Sequence, residues 1–458
     1  MVPSGHGRCS AATSSSVHPN EDNELPTHRF ARPRSAIIPA LLALAGVFVV
    51  PGGAAADDGR QVVFSRSQEI TFFGRGWGHG VGMSQHGARG RALAGQTTAQ
   101  ILAHYYAGTT LGTKNPASQV RVLVLTGFAA TPANPATIYG RGGTFKVDGI
   151  GTTFPKDAKV TLAPTTTGAT TYTLTVTSST GSKLHSSKVS GSLAVRPGSG
   201  TVLQLDSKPS TYDRYRGLLR VYLTTSVRVV NELGLDLYLR GVVPAEMPST
   251  WPVEAVKAQA IAARSYAAVR LKPGTGQFDV YDDTRSQVYR GTKGEATATT
   301  AAITATSGVV LKSGSSIANA LFHSTGGGAT EHNEYVFVSA TGKIVAGPVS
   351  YLRGSSDRAP DGTPYDAGSP KATWQTASYT RKGLSTIFGK DARTNVGAIS
   401  KIDLSRRGVS GRLISVTLIG SLGTKTVSGG VFRSVFNAGN PPAHADLQST
   451  LFDTRPIP

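Results

Sequence analysis

From about Gln119 to Thr211 the chain is a succession of short β-prone runs, VRVLVL, TFKVDGI, KVTLAP and TYTLTVTS, separated by Gly, Pro and Ser. Runs of this length and punctuation specify strands. A second set follows. GLLRVYLTT and SVRVVNEL form a hairpin pattern leading into LDLYLRGVVPAEMP, then a helix from about Pro252 to Leu271, further strands, and an Ala/Thr-rich helix from about Glu295 to Thr306 closed by Gly308. The remainder alternates strands with loops, including RLISVTLIG, TKTVSGGVFRSVF and LQSTLFDT. Before all of these, residues 57–112 hold a short strand at Gln68 to Phe73, a glycine-punctuated stretch from Gly74 to Gly90, and a helix opened by the capping box Thr97-Thr98-Ala99-Gln100. Gly108 is its natural stop. The pattern predicts an α+β fold with more strand than helix, a few helices, and an all-β insertion at 119–211. That insertion has two interpretations, a sheet without chemistry or a carbohydrate-binding surface.

The N-terminus limits where such a fold can work. Arg29, Arg32 and Arg34 precede an apolar run from Ala36 to Val50, then Pro51-Gly52-Gly53 and Ala54-Ala55-Ala56. A positive flank, an apolar stretch and small residues in that order make a secretory signal over 1–56, with cleavage after Ala56. Membrane attachment is expected only through this segment if it stays uncleaved, and the run is short for a span and contains Pro39. Cys9 lies in the segment to be removed, so the mature chain is expected to form no disulfide and no thiolate metal site. The formal charge of +20 asks for an anionic neighbour. Nucleic acid is disfavoured, because no basic helix or aromatic-basic motif stands out and the signal points outside the cell.

Three stretches could carry chemistry. In YLRGVVPAEMPSTWPVEAVKAQAIAARSYA a single carboxylate, Glu246, sits among apolar neighbours with Trp251 close by. Desolvation there would raise its pKa and let it donate a proton. Alternatively, it caps the following helix. At 100° per residue, Val253, Val256, Ala260, Ala263, Ala267 and Leu271 share one face of that helix. Lys257 and Arg264 flank that face on one side, Gln259 and Tyr266 on the other, bordering a groove or a solvated edge. In GWGHGVGMSQHGARG, six glycines between Gly76 and Gly90 allow close backbone approach to a ligand, while His79, Ser84, Gln85 and His86 offer hydrogen-bonding groups. Zinc at His79 and His86 would need a third ligand, such as His104 or His323, and no HExxH pairing occurs, so neither metal nor cofactor is expected. In FHSTGGGATEH, His323 and Ser324 are adjacent on a strand and point to opposite faces, so they are expected to line a sugar cleft and not to act as a base–nucleophile pair.

These stretches resemble the SpoIID/LytB family, named from stage II sporulation protein D and the amidase-enhancer proteins. The resemblance rests on VVPAEMPSTWPVEAVKAQAIAARSYA, SQVYRG at 286–291, FHSTGGGATE, the tail VFRSVFN with LQSTLF, and the Gly76 to Leu111 block. It implies a core divided between residues 57–118 and 212–453, with a tail at 454–458. In sporulation-type members the GHG-containing block resembles a continuation of the LQSTLF strand, whereas here it comes first. That order implies a circular permutation, with residues 68–112 packed beside 400–453 and with His79 and Gln85 sharing a cleft with Glu246. The family implies lytic cleavage of peptidoglycan glycan strands with Glu246 as catalyst, and His79, Ser84, Gln85, Lys257, Gln259, Arg264, Tyr266 and Ser324 as candidates for binding sugar. An exported, wall-associated enzyme is one expectation. A non-catalytic wall protein that enhances an amidase partner is the other. Some sporulation-type relatives use a cysteine in a metal site, which this mature chain cannot supply.

Overall fold

The computed structural model describes residues 61–64 and 69–457, so the expected signal segment at 1–56, with Cys9, lies outside the described residues. About a third of the described residues are strand and about a fifth helix, the α+β class expected. A twelve-stranded sheet dominates. Its strands alternate by burial, as in Ala136–Arg141 and Lys159–Pro164, where every second side chain is buried. Such alternation coats one face with Ile138, Val160, Leu162, Leu174 and Val176 and leaves polar residues outward. The β-runs of 119–211 are continuous with the hairpin that follows. Lys183–Pro197 pairs with Leu218–Leu223, and Val227–Gly234 pairs with Gln119–Phe128, all antiparallel, so these strands share one sheet and one core.

Among the described residues eight helices surround or abut the sheets: α1 (Gln85–Leu93), α2 (Thr98–Tyr105), α3 (Leu235–Glu246), α4 (Val253–Arg270), α5 (Thr297–Ala305), α6 (Asn333–Val336), α7 (Arg381–Gly389) and α8 (Gly429–Gly439). The expected helices are α2, α4 and α5. The capping box of α2 forms in full: Thr97 accepts from the Gln100 backbone, and Gln100 accepts from the Thr97 N–H.

Helices α1 and α3 arise where the sequence suggested a loop and a lead-in. In α3 the buried residues Leu235, Tyr238, Leu239, Val242 and Val243 recur at three- and four-residue steps, and this packing outweighs the cost of Pro244 in the last turn. In α1 the low helix propensity of Gly87 and Gly90 is tolerated because no larger residue fits. A Cβ at Gly90 would stand 1.9 Å from the Tyr365 carbonyl oxygen.

Helix α4 is the central strut. It is buried over nearly its whole circumference between α1, α2, α3, α5 and the strand Val309–Ser313. The expected single apolar stripe therefore does not describe it, and Val253, placed on that stripe, is exposed.

A smaller core lies where residues 61–75 meet the C-terminal part of the chain. Glu69–Arg75 runs antiparallel between Thr373–Thr380 and Phe452–Asp453, and Gln61–Val63 pairs with Ile399–Asp403. Phe72 sets its ring edge-on against Phe432, Phe436 and Phe452 at 6.1, 5.6 and 5.3 Å. Of residues 68–112, expected beside 400–453, only the first part through Gly78 packs against the C-terminal segment; α1 and α2 instead cross into the larger core beside α4.

Candidate active site around Glu246

Glu246 is the last residue of α3, and Met247 is its C-cap. It does not cap α4, whose N-cap is Pro252 and whose first-turn acid is Glu254. A carboxylate at a helix C-terminus faces the negative end of the dipole, which favours the protonated form. Oε1 accepts the Val288 N–H at 3.0 Å, and Oε2 takes the Gln85 amide at the long distance of 3.5 Å. Burial raises the Glu246 pKa, and the Val288 N–H, Gln85 and the charge of Arg290 offset this only in part. Among the described residues no other carboxylate is seen to act on Glu246, whose pKa burial raises.

Gln85 reaches Glu246 because two glycine-rich segments are zipped together. Trp77 and Thr325 exchange backbone hydrogen bonds at 2.9 and 3.1 Å, Met83–Ser84 runs parallel to Phe322–His323, and the His86 N–H donates to the Ser324 carbonyl. Ser84 fastens both sides, since its hydroxyl accepts the Gly87 N–H at the start of α1 and the Gly326 N–H across the gap. Gly82 is required here. Its φ is +70°, and a Cβ would meet the Leu321 carbonyl oxygen at 2.1 Å. The N-terminus of α1 is thereby set so that Gln85, its first residue, points at the end of α3.

The structure sorts the expected sugar-binding residues. Gln85 contacts Glu246 directly. Tyr266 has Arg270 at 3.3 Å over its ring and Phe322 at 6.2 Å, and Glu246 is among the charges acting on its hydroxyl. Ser324 is half-buried, its hydroxyl 3.3 Å from that of Thr325. His79 accepts the Val81 N–H at Nδ1 and sets its ring 5.4 Å from His323 and 5.9 Å from Phe337. Ser84 is wholly buried by the two bonds above. Lys257 pairs with Glu254, whose carboxyl is pulled down to about 2 by Lys257 and by Thr98 at the start of α2. Gln259 is fully buried with neither amide atom hydrogen-bonded.

Arg264 requires a correction. It does not border a groove with Lys257, because its side chain is fully inside, bonded to Asp236 at 2.7 Å and to the carbonyls of Val309 and Ile303. A guanidinium with several donors can close such a buried junction between α3, α4 and α5, whereas helix periodicity assigned it to an edge.

The histidines considered for zinc are dispersed among different partners. His79 faces His323, His86 stands edge-on to Trp251 at 4.7 Å, and His104 contacts Arg91 at 2.7 Å. Burial and Arg91 bring the His104 pKa down to about 4. Among the described residues no group of three His, Cys, Asp or Glu side chains could hold a metal ion.

Sequence reasoning missed Val288 and Arg290 as neighbours of Glu246, although both lie in SQVYRG. It also missed the corner formed by Trp251, His86 and Arg89, where the Arg89 guanidinium lies 5.6 Å over the Trp251 ring. Burial and Arg89 lower the His86 pKa, with Asp366 opposing, so the imidazole is biased toward its neutral form.

Fold and site together define a strand-rich α+β protein with a helix-terminal carboxyl whose pKa burial raises. Residues 224–312, which include α3, α4 and Glu246, match the family model described as stage II sporulation protein, so this part of the chain is similar to the SpoIID/LytB family. It is 30% identical over 223 residues to stage II sporulation protein D of Bacillus subtilis, covering 44% of this chain and 58% of that protein. It is 34% identical over 148 residues to the amidase enhancer of Bacillus subtilis, covering 31% and 20%. An uncharacterized protein of Brachyspira hyodysenteriae is 43% identical over 79 residues, covering 17% and 22%. The chain thus spans less than two thirds of each of these relatives.

Proposed function

We propose that this protein is an exported, wall-associated lytic transglycosylase that cleaves peptidoglycan glycan strands. The observation that carries the proposal is Glu246, a lone carboxyl pushed toward its acid form by burial. Ordinary glycosidases divide the work between two carboxyl groups. A lone acid suffices if the substrate supplies the nucleophile. Glu246 protonates the glycosidic oxygen as the bond to the anomeric carbon breaks. The resulting carboxylate then takes the proton of the muramyl 6-hydroxyl as that oxygen bonds to the same carbon, leaving a 1,6-anhydro end. The nucleophile is already attached, which replaces the second carboxylate's task.

The hydrogen bonds support this division of labour. Oε1 is occupied by the Val288 N–H, while Oε2 is held only weakly by Gln85, so Oε2 is the oxygen free to carry the working proton. The basic charge suits an anionic wall. We also interpret the order of the blocks as a circular permutation, an idea supported by the pairing of Glu69–Arg75 with Phe452–Asp453.

Digestion of purified glycan strands, followed by mass spectrometry, tests the proposal. Anhydro-muramyl ends are expected, and reducing ends would mean hydrolysis. The second possibility, a non-catalytic protein that assists a wall amidase, draws on the relative named amidase enhancer. It predicts no product from either intact or peptide-stripped strands.

A further inference from the structure

Trp251, His86 and Arg89 form a corner that the reaction above does not use. Trp251 follows Glu246 by five residues, and His86 follows Gln85, whose amide contacts Glu246, so the corner is tied to the candidate acid through both chain segments. The indole is half-buried, with the His86 ring at its edge 4.7 Å away and the Arg89 guanidinium 5.6 Å over its face. Among the described residues no carboxylate pairs with Arg89. The neighbouring Arg91, two positions along α1, is by contrast buried against Asp357 at 2.9 Å. His86 also leaves its buried Nδ1 without a hydrogen bond.

An unpaired guanidinium resting on an indole is positioned to receive a carboxylate by two parallel hydrogen bonds, while the aromatic surface supplies contact for a sugar ring. We propose that Arg89 and Trp251 form a carboxylate-binding subsite beside Glu246, which seats the anionic group of the saccharide. The inference rests on the glycan-cleavage proposal for its ligand. That carboxylate has two chemical sources, the lactyl acid of a muramyl residue or an acid of an attached stem peptide.

The test uses the full chain, with Arg89→Gln and Arg89→Lys compared with wild type. Binding is measured in a Glu246→Gln background, so that cleavage does not confound affinity. The probes are glycan oligosaccharides with free lactyl groups, the same with lactyl methyl esters, and the same bearing stem peptides. Arg89→Gln should weaken binding of the matching carboxylate form about tenfold, the size expected for one charge-assisted contact. Esterification should then cost Arg89→Gln nothing further, and Arg89→Lys should recover part of the loss. In cleavage assays KM should rise far more than kcat falls. Loss with the lactyl ester assigns the lactyl acid, and loss only with peptide-bearing strands assigns the stem. Unchanged binding in Arg89→Gln, with cleavage by the wild type intact, overturns the subsite and leaves the cleavage proposal standing. Arg89-dependent binding without any cleavage supports the subsite and overturns the enzyme. Absence of both binding and cleavage overturns the two together.

Discussion

Glu246→Gln separates chemistry from folding more cleanly than any other substitution in this chain. The same carboxyl is asked to give a proton in bond cleavage and to take one in ring closure, and each general acid or base role is worth about a hundred- to ten-thousandfold. Cleavage should therefore fall by at least about a thousandfold. The fold should not suffer. Glutamine keeps an oxygen for the Val288 N–H, and the only bond at risk is the 3.5 Å contact with Gln85, whose amide can turn over. A neutral bond that long is worth at most about 0.5 kcal/mol. Against it stands the removal of a group whose ionised form burial disfavours.

Because the folded-state pKa lies above the ordinary 4.5, the native protein binds more protons than the unfolded chain above that pH. Wild-type stability therefore declines as pH rises from about the ordinary value through the raised one. The Gln variant lacks this decline. Thermal denaturation should find the variant at least as stable as wild type at pH 7, with its relative advantage shrinking as pH is lowered from the raised pKa toward 4.5 and changing no further below it. By the same sign, wild-type kcat/KM should fall on the alkaline side as the acid form is lost. A variant that keeps activity within tenfold of wild type would refute the assignment. One that melts well below wild type at pH 7 would mean that Glu246 is primarily structural.

Gln85→Ala removes a contact that lowers the Glu246 pKa, so the alkaline limb of the pH–rate profile should move to higher pH, with cleavage reduced about tenfold; an unmoved limb would show that the two groups do not communicate. Arg264→Ala takes the charged partner from Asp236, which keeps only the Ser307 hydroxyl, and a donor from the Val309 and Ile303 carbonyls, and should cost about 3 kcal/mol by denaturant unfolding. At temperatures where that variant stays folded its KM should match wild type, whereas a raised KM would return Arg264 to the sugar site. Gly82→Ala forces a positive φ on alanine and a clash with the Leu321 carbonyl, so it should lose at least about 1–3 kcal/mol and separate Gln85 from Glu246, seen as reduced thermal stability together with reduced cleavage.

How much of this was legible follows from the range of the forces involved. The strands of 119–211 and the capping box of α2 depend on residues a few positions apart, and both form as the sequence indicates. Helix α3 was legible too, through the spacing of Leu235, Tyr238, Leu239, Val242 and Val243, but Pro244 masked it. The fate of Arg264 could not be read from helix periodicity. A 100° projection supposes one wet and one dry face, whereas α4 is enclosed over most of its circumference by other helices. The environment of Glu246 lies between these cases. Apolar neighbours in sequence foretold its desolvation correctly, yet two contacts that tune it come from Gln85 and Val288, 161 and 42 residues away. A family pattern can point to such residues by containing them in its motifs, but only the packing of α1 against the end of α3 says which atom meets which. It is that packing, set by Ser84 and by the glycines that let two loops approach, that turns an acidic residue at a helix end into a candidate acid.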